Sequence, residues 1–511
     1  MPEKPFAQSD LERIRNEGLT VEDLSSQLEL LRGETIPLTL AGACSIGDGI
    51  VALPDSGREA LLPEHERAAA EGRTTKFVPA SGAASRMFQQ WFAWCGTEGF
   101  NTTEDAATLA GRIPRFAFYD DLSRAIARGG GDIRRVLRED PRGILEYILT
   151  PKGLNYGSMP KALIKFHAYQ EGSRTPLEEH LVEAALYVRD NRRICRVHVT
   201  VSEEHRRDVE DHLADIRGRY EALYDAGFEI ALSVQSPSTN TIAMDAEGRP
   251  FRDKSGRLVF RPGGHGSLLK NLNSIEDDAI FVKNIDNVVP DRLKPETVLY
   301  KKLLGGYLLK LQEEVFHRLR ILEGNAPDEK QLSGIAAFCR ERLSRTVPPA
   351  FDTFPAEQKT ALLFDIMNRP LRVCGMVKNE GEPGGGPFWV EERDETRSLQ
   401  IVEEAQIDMT SKGQREIWES SSWFNPVDLV CGIRDYRGGK FDLERYVDGR
   451  TWIVSHKSHE GQPLKVLERP GLWNGSMAGW NTVFVAVPST TFNPVKTVED
   501  LLRDEHRGET T

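Results

Sequence analysis

The chain has 511 residues, 39% hydrophobic and 28% charged, with a formal net charge of −12, the balance of a soluble globular protein with two or three structural units. So acidic a chain lacks the basic field that non-specific nucleic-acid binding requires, no run of about 18 apolar residues is present to span a bilayer, and no apolar leader follows Met1. No nucleic-acid or membrane partner and a cytoplasmic location are therefore expected. In chain order, Leu11, Ile14, Leu24, Leu28 and Leu31 recur at helical spacing, and Thr20 with Asp23 three residues on has the form of a cap; a helical hairpin is predicted over 9–33. The cysteines Cys44, Cys95, Cys195, Cys339, Cys374 and Cys431 are scattered without a C-x-x-C pair, which suggests neither a zinc site nor a disulfide framework.

The turn-rich stretch Ser45 to Ile50 reads as a structural loop, with a phosphate-contacting role as the alternative. From Lys76 to Phe88 the sequence K-F-V-P-A-S-G-A-A-S-R-M-F predicts a short strand, a tight loop of small residues and a helix start. Backbone N–H groups in such a loop can approach an anion closely, and Arg86 can hold phosphate oxygens in a fork. A polar helical insertion is expected over about 100–150. Cys195 to Val201 and Phe228 to Val234 read as strands with a charged helix over 202–225 between them, a βαβ unit. Ile242 to Asp245 and Leu258 to Phe260 suggest a hairpin. Ala279 to Lys283 is a buried strand that delivers Asn284-Ile285-Asp286-Asn287 to its carboxyl end, where open α/β sheets bind ligands, so Asp286 is a metal or substrate candidate.

Residues 294–365 are expected to be helical. A second strand-rich block opens at Leu371 to Val377 and leads to the glycine-rich loop 379–386, whose composition implies a sharp turn or a close backbone approach to a ligand. A strand over Asn481 to Val487 and a terminal helix around Asp500 to Leu502 close the chain. The division this implies is a helical region over 1–70, a nucleotide-binding core over 71–293, a helical insertion over 294–365, and a second half of the core over 366–511.

Taken together the motifs resemble those of UDP-sugar pyrophosphorylases. Ala80-Ser81-Gly82-Ala83-Ala84-Ser85-Arg86-Met87 looks like a degenerate form of their A-G-G-x-G-T-R-[LM] loop, and Pro160-Lys161-Ala162-Leu163 like their P-K-[PSA]-L element. Pro262-Gly263-Gly264-His265-Gly266 followed by Phe281 to Asn287 is similar to the P-G-H-G and N-I-D-N pair, and Phe492-Asn493-Pro494-Val495-Lys496 with Asp500-Leu501-Leu502 resembles the late F-x-P-V-K and D-L-L. Over nearly its whole length the chain also resembles DUF4301, a family of uncharacterised bacterial proteins with S-G-A-A-S-R-M and K-N-E-G-E-P-G-G-G among its signatures. Two departures stand out: Ser81 and Ala84 replace glycines of the pyrophosphorylase loop, and the gap from Arg86 to Lys161 is longer than theirs.

The resemblance implies a nucleotide-diphospho-sugar transferase fold, an α/β architecture with a mixed, mostly parallel, Rossmann-like sheet sandwiched by helices, and the reaction of UTP with a sugar 1-phosphate to give a UDP-sugar and pyrophosphate. By the same motifs Ser81, Gly82, Ala83 and Arg86 would hold the β- and γ-phosphates. Lys161 would face the α-phosphate, and Lys496 the sugar phosphate or the same transition state. Gln235, Gly264 and His265 would line uracil and ribose, while Glu382, Glu403 and Asn474 would meet sugar hydroxyls. Asp286 would bind Mg²⁺. Two alternatives stay open: a glycosyltransferase using the nucleotide-sugar, for which the D-x-D motif is lacking, and a non-catalytic nucleotide-sugar-binding protein.

Overall fold

The structure, a computed structural model, describes residues 6–33, 36–96, 99–100, 102–324, 327–381, 384–392 and 394–507. It divides into two compact units, each drawn from separate parts of the chain. One comprises Met1–Glu64, Gln235–Ile280 and Leu304–Val487, and the other His65–Val234, Phe281–Leu303 and Pro488–Thr511.

In the unit that begins at His65, the strands Thr74–Pro79, Ile194–Val201 and Gly227–Val234 pair in parallel. Thr74–Pro79 has as its other neighbour the strand Ala279–Lys283, which enters this unit at Phe281. All five residues of Ala279–Lys283 are buried, as are the first five of Thr74–Pro79. Strands covered on both faces read as continuous apolar runs, which is why Ala279 to Val282 is legible as a strand. The helix Arg206–Tyr224 joins two of the parallel strands and makes the expected βαβ unit. The insertion at 100–150 is helical, with Thr103–Arg112, Tyr119–Arg128, Ile133–Glu139 and Pro141–Leu149. These helices pack their apolar faces around Trp91, Phe116, Phe118 and Tyr156 in one core, which also takes in Val495, Val498 and Leu501.

Every residue of the helix Pro176–Tyr187 except Leu186 is buried, although it carries Glu178, Glu179, His180 and Glu183. Thr175 caps its start in a reciprocal box with Glu178. Glu183 lies between two lysines from neighbouring strands, Lys76 Nζ at 2.7 Å and Lys283 Nζ at 2.8 Å, and all three side chains are fully buried. Burial alone would raise the Glu183 pKa, but the two ammonium groups hold it well below the usual carboxylate range.

In the other unit the strands Gly49–Val51, Asn481–Ala486 and Leu371–Lys378 run parallel, while Asp428–Gly432 and Trp423–Phe424 pair antiparallel with Leu371–Lys378. Two antiparallel sheets accompany them. One has Leu40–Ala43, Gly386–Glu391 and Arg397–Val402; the other orders Phe260–Arg261, Thr241–Met244, Gln462–Glu468 and Ile453–His459. The helical hairpin forms as Gln8–Asn16 and Val21–Arg32, the second helix capped by Thr20 with Asp23, and it packs on the four-stranded sheet through Leu24, Leu28, Ile242 and Leu467.

The architecture is thus mixed α/β with mostly parallel principal strands. Three local expectations are corrected. Residues 1–70 are not purely helical, since strands form at Leu40–Ala43, Ser45–Ile46 and Gly49–Val51. The helix expected to start at Arg86 after the small-residue loop starts a turn later: a three-residue 3₁₀ turn, Ala84–Arg86, precedes the helix Gln89–Cys95. The terminal helix is a 3₁₀ segment, Val498–Leu502, because Asp500 turns back to cap Lys496 and Thr497. The expected helical stretch over 294–365 holds Lys294–Glu323, Glu329–Arg342 and Ala356–Met367.

Removing Glu183 would leave two fully buried lysines facing each other without a counter-charge. Glu183→Ala is expected to cost about 3–5 kcal/mol, read as a lowered urea midpoint at unchanged slope.

Candidate functional site

In the unit that begins at His65, the loop after Thr74–Pro79 leaves the sheet with Ala80 N–H bound to Thr200 O at 3.0 Å. Opposite the loop runs the Met159 to Lys161 segment: Lys161 N–H donates to Gly82 O (3.2 Å) and Ala84 N–H to Met159 O (3.1 Å). The N–H groups of Ser81, Gly82 and Ala83 make no hydrogen bond among the described residues, and Gly82 and Ala83 are exposed. A Cβ at Gly82 would meet nothing within 4 Å, so packing does not require a glycine there. Arg86 is exposed and makes no hydrogen bond or ion pair among the described residues. The long gap between Arg86 and Lys161 is taken up by the helical insertion, after which the chain returns to the same loop.

Asp286 lies just past the strand Ala279–Lys283 and is 6% exposed. Its backbone turn is fixed on several sides. Ile285 N–H donates to Pro79 O at 3.2 Å, and His180 Nε2 donates to the carbonyls of Asn284 and Ile285 at 3.2 and 3.3 Å. Asn287 Oδ1 accepts from Asn493 N–H at 3.0 Å, and Asp286 O accepts from Val495 N–H at 3.1 Å. Into the Asp286 carboxylate come Lys161 Nζ at 3.0 Å and Lys496 Nζ at 3.2 Å, both on Oδ2. Lys161 also donates to Val495 O (2.8 Å) and is nearly buried, whereas the Lys496 side chain is 60% exposed. Burial opposes ionisation of Asp286, but the two lysines override it and hold the carboxyl below its usual range. Its Oδ1 makes no hydrogen bond among the described residues.

In the other unit, the loop Pro262 to Ser267 carries His265 on a run of glycines that close packing requires. A Cβ on Gly266 would fall 2.1 Å from Pro470 O, one on Gly263 2.5 Å from Thr239 O, and Gly264 adopts φ +74°. The His265 ring stacks on Trp473 with centroids 4.2 Å apart and an interplanar angle of 19°. Leu472 N–H donates to its Nδ1 at 3.0 Å, which assigns the proton of the neutral ring to Nε2. That Nε2 faces Glu403 Oε1 at 4.0 Å, and Asn474 Nδ2 donates to the same oxygen at 2.7 Å. Burial lowers the His265 pKa against the pull of Glu403 and Glu468.

His265, Glu403 and Asn474 therefore meet. Gln235 bonds to Asn240 Oδ1 at 3.5 Å and not to His265, although its turn joins the His265 loop through Arg469, which donates to Thr239 O and Gly263 O. Glu403 stands just beyond the strand Arg397–Val402, at the head of a 3₁₀ turn. Glu382 lies outside the described residues. Sequence reasoning passed over Trp473, whose only signal is its place beside Asn474. It also passed over His180, hidden in a helix with no polar face, and the capping role of Asp500.

Residues 7–507 match the family model described as Domain of unknown function (DUF4301). The chain belongs to the DUF4301 family. No curated protein matches it by sequence. Solved structures similar to this DUF4301 chain include a UDP-glucose pyrophosphorylase mutant from Leishmania major, at 13% identity over 98% of this chain and 80% of that one, with a TM-score of 0.46. Another mutant of the Leishmania major enzyme, in complex with UDP-glucose, has 14% identity over 98% and 79% of the two chains and a TM-score of 0.46. A UDP-glucose phosphorylase from Trypanosoma brucei has 13% identity over 98% and 80%, with a TM-score of 0.45.

The Asp286 carboxyl is held below its unfolded value, so the unfolded chain binds the proton more tightly and the charged form favours the fold. The stability difference between wild type and Asp286→Asn is expected to be full above the ordinary carboxylate pKa of 3.8 and to close as the pH falls through the lower native value. Urea denaturation of both proteins at a series of pH values measures this.

Proposed function

We propose that this protein is a nucleotidyltransferase that makes a UDP-sugar and pyrophosphate from UTP and a sugar 1-phosphate. The observation that supports this reading is the meeting of Lys161 and Lys496 on Asp286, at 3.0 and 3.2 Å. The loop joined to Lys161 adds unused N–H groups at Ser81, Gly82 and Ala83 and the uncommitted guanidinium of Arg86. Such a set of donors suits phosphoryl oxygens.

In the proposed reaction an oxygen of the sugar phosphate attacks the α-phosphorus in line, the bond to the bridging oxygen breaks, and pyrophosphate leaves. The attacking phosphate is already ionised at neutral pH, so positioning and charge neutralisation carry the rate and no general base is needed. Arg86 and the loop N–H groups take the β- and γ-phosphates. Lys161, held by Val495 O, faces the α-phosphate, and the exposed Lys496 meets the incoming sugar phosphate. The motif resemblance alone gives uracil and ribose to Gln235, Gly264 and His265, and the sugar hydroxyls to Glu403 and Asn474.

Asp286 has one carboxylate oxygen outside the lysine contacts. Through that oxygen Asp286 would hold Mg²⁺. When bound, Mg²⁺ supplies neutralisation of phosphate charge.

Lys161→Ala and Lys496→Ala should each lower kcat by roughly a hundredfold, measured as pyrophosphate released from UTP and a panel of sugar 1-phosphates. Unchanged turnover in both variants, or release of UDP in place of pyrophosphate, would overturn the reading. Glu403→Ala should raise KM for the sugar phosphate far more than for UTP, by the equivalent of about 1.5–3 kcal/mol. Asp286→Asn should abolish the Mg²⁺ dependence of UTP binding in calorimetry.

A further inference from the structure

A cavity of about 850 Å³, lined by none of the residues assigned above, opens in the unit that begins at Met1, between the segments around Arg345, Arg369, Glu392, Arg445 and Ala478. Its volume is that of a small-molecule site. Four arginines line it, and two are already paired. Arg369 Nη2 reaches Asp365 at 2.5 Å, and Arg450 Nη2 reaches Asp448 at 2.7 Å. The other two, Arg345 and Arg445, form no ion pair among the described residues.

Arg345 is fixed in place. Its N–H donates to Cys339 O, and its Nη2 to the carbonyls of Ala478 (3.3 Å) and Trp480 (2.5 Å), which leaves Nε and Nη1 without a partner among the described residues. Burial, with Arg369 adding repulsion, pulls its pKa down to about 10 against the pull of Glu392 and Asp365, so the guanidinium stays charged at neutral pH without an ion-pair partner among the described residues. Arg445 stands exposed on the rim, on the 3₁₀ turn Leu443–Tyr446. On the same cavity Asn368 Oδ1 is shielded from solvent and has no partner, an acceptor without a donor. The carboxylates of Glu392, 3.5 Å from Arg450 Nη2, and Asp394 also line it.

We infer that this cavity binds a small phosphorylated polyol of hexose phosphate size, its phosphate between Arg345 and Arg445 and its hydroxyls donating to Asn368 Oδ1 and the Glu392 and Asp394 carboxylates. An anion is called for by two guanidinium groups with unused N–H donors, the geometry that suits phosphate. Hydroxyls are called for by the orphaned Asn368 Oδ1 and by the Glu392 and Asp394 carboxylates, which accept hydrogen bonds and would repel a second anionic group. The site rests on none of the residues given to the nucleotidyl transfer.

Calorimetry on the full chain with glucose 6-phosphate as probe tests the inference, with glucose and inorganic phosphate alongside. Wild type should bind glucose 6-phosphate and bind the other two more weakly by about tenfold or more. Arg445→Ala, a rim substitution that leaves the fold intact by thermal melting, should weaken glucose 6-phosphate by roughly tenfold or more, and Arg345→Gln by at least as much. Lys161→Ala should leave this affinity unchanged. No heat at about 1 mM probe, inorganic phosphate bound as tightly as the sugar phosphate, full affinity in Arg445→Ala, or affinity lost in Lys161→Ala would each overturn it.

Discussion

The helix Pro176–Tyr187 sets the terms for the unit around it, because a helix buried along all its length but Leu186 cannot carry Glu178, Glu179, His180 and Glu183 unless each finds a partner in place. Glu183 takes a lysine from each of two strands, and Glu179 takes Lys294 and His167 at 2.5 and 2.9 Å. Glu178 takes Lys165 at 3.1 Å and also Arg219. His180, neutral because burial depresses its pKa far below the usual value, spends its Nε2–H on the two carbonyls just before Asp286. The electrostatics of one buried helix thereby fix the strands and also orient the turn that presents the Asp286 carboxylate. The lysines that converge there come from 125 and 210 residues away in sequence, so nothing local could hold them together.

Glycines do a comparable job in the other unit. The backbone of residues 263–266 passes within bonding distance of residues 468–471, with no room for a side chain at Gly266 or Gly471, and the His265 ring fills the space beside Gly471. His265 is thereby pinned between Trp473 and the Leu472 N–H. A histidine so held, with its free nitrogen turned toward Glu403, has its tautomer chosen by the backbone and not by solvent.

The sequence was most legible where one rule acts alone. Apolar β-branched runs marked Ile194–Val201, Gly227–Val234 and Ala279–Lys283 to within a residue or two, and Thr20 with Asp23 marked a helix start. The motifs containing Lys161, Asp286 and Lys496 pointed to residues that do meet, because short motifs retain the backbone geometry that aims their side chains. What escaped was decided by tertiary partners. Pro176–Tyr187 shows no amphipathic stripe because both its faces are interior, and its charges look like a solvated surface until Lys76, Lys283 and Lys294 are seen to be buried with them. The turn at Val498–Leu502 reads as an α-helix by pattern, yet Asp500 bonds the N–H groups of Lys496 and Thr497 and tightens it.

The discontinuity of the units bears on how the chain comes to be folded. The unit that holds Lys161 and Asp286 is closed by Pro488–Thr511, whose Val495 and Val498 enter its apolar core and whose Val498 N–H bonds to Met87 O. During synthesis, the long stretch between Leu303 and Pro488 must be translated first, which takes on the order of ten seconds at ordinary elongation rates. For that interval the apolar groove that Val495 and Val498 will fill stays open to water, and Asp286 has only one of its two lysines. A nascent chain in that state displays a sticky surface together with a half-neutralised buried carboxylate, the combination that molecular chaperones are suited to cover.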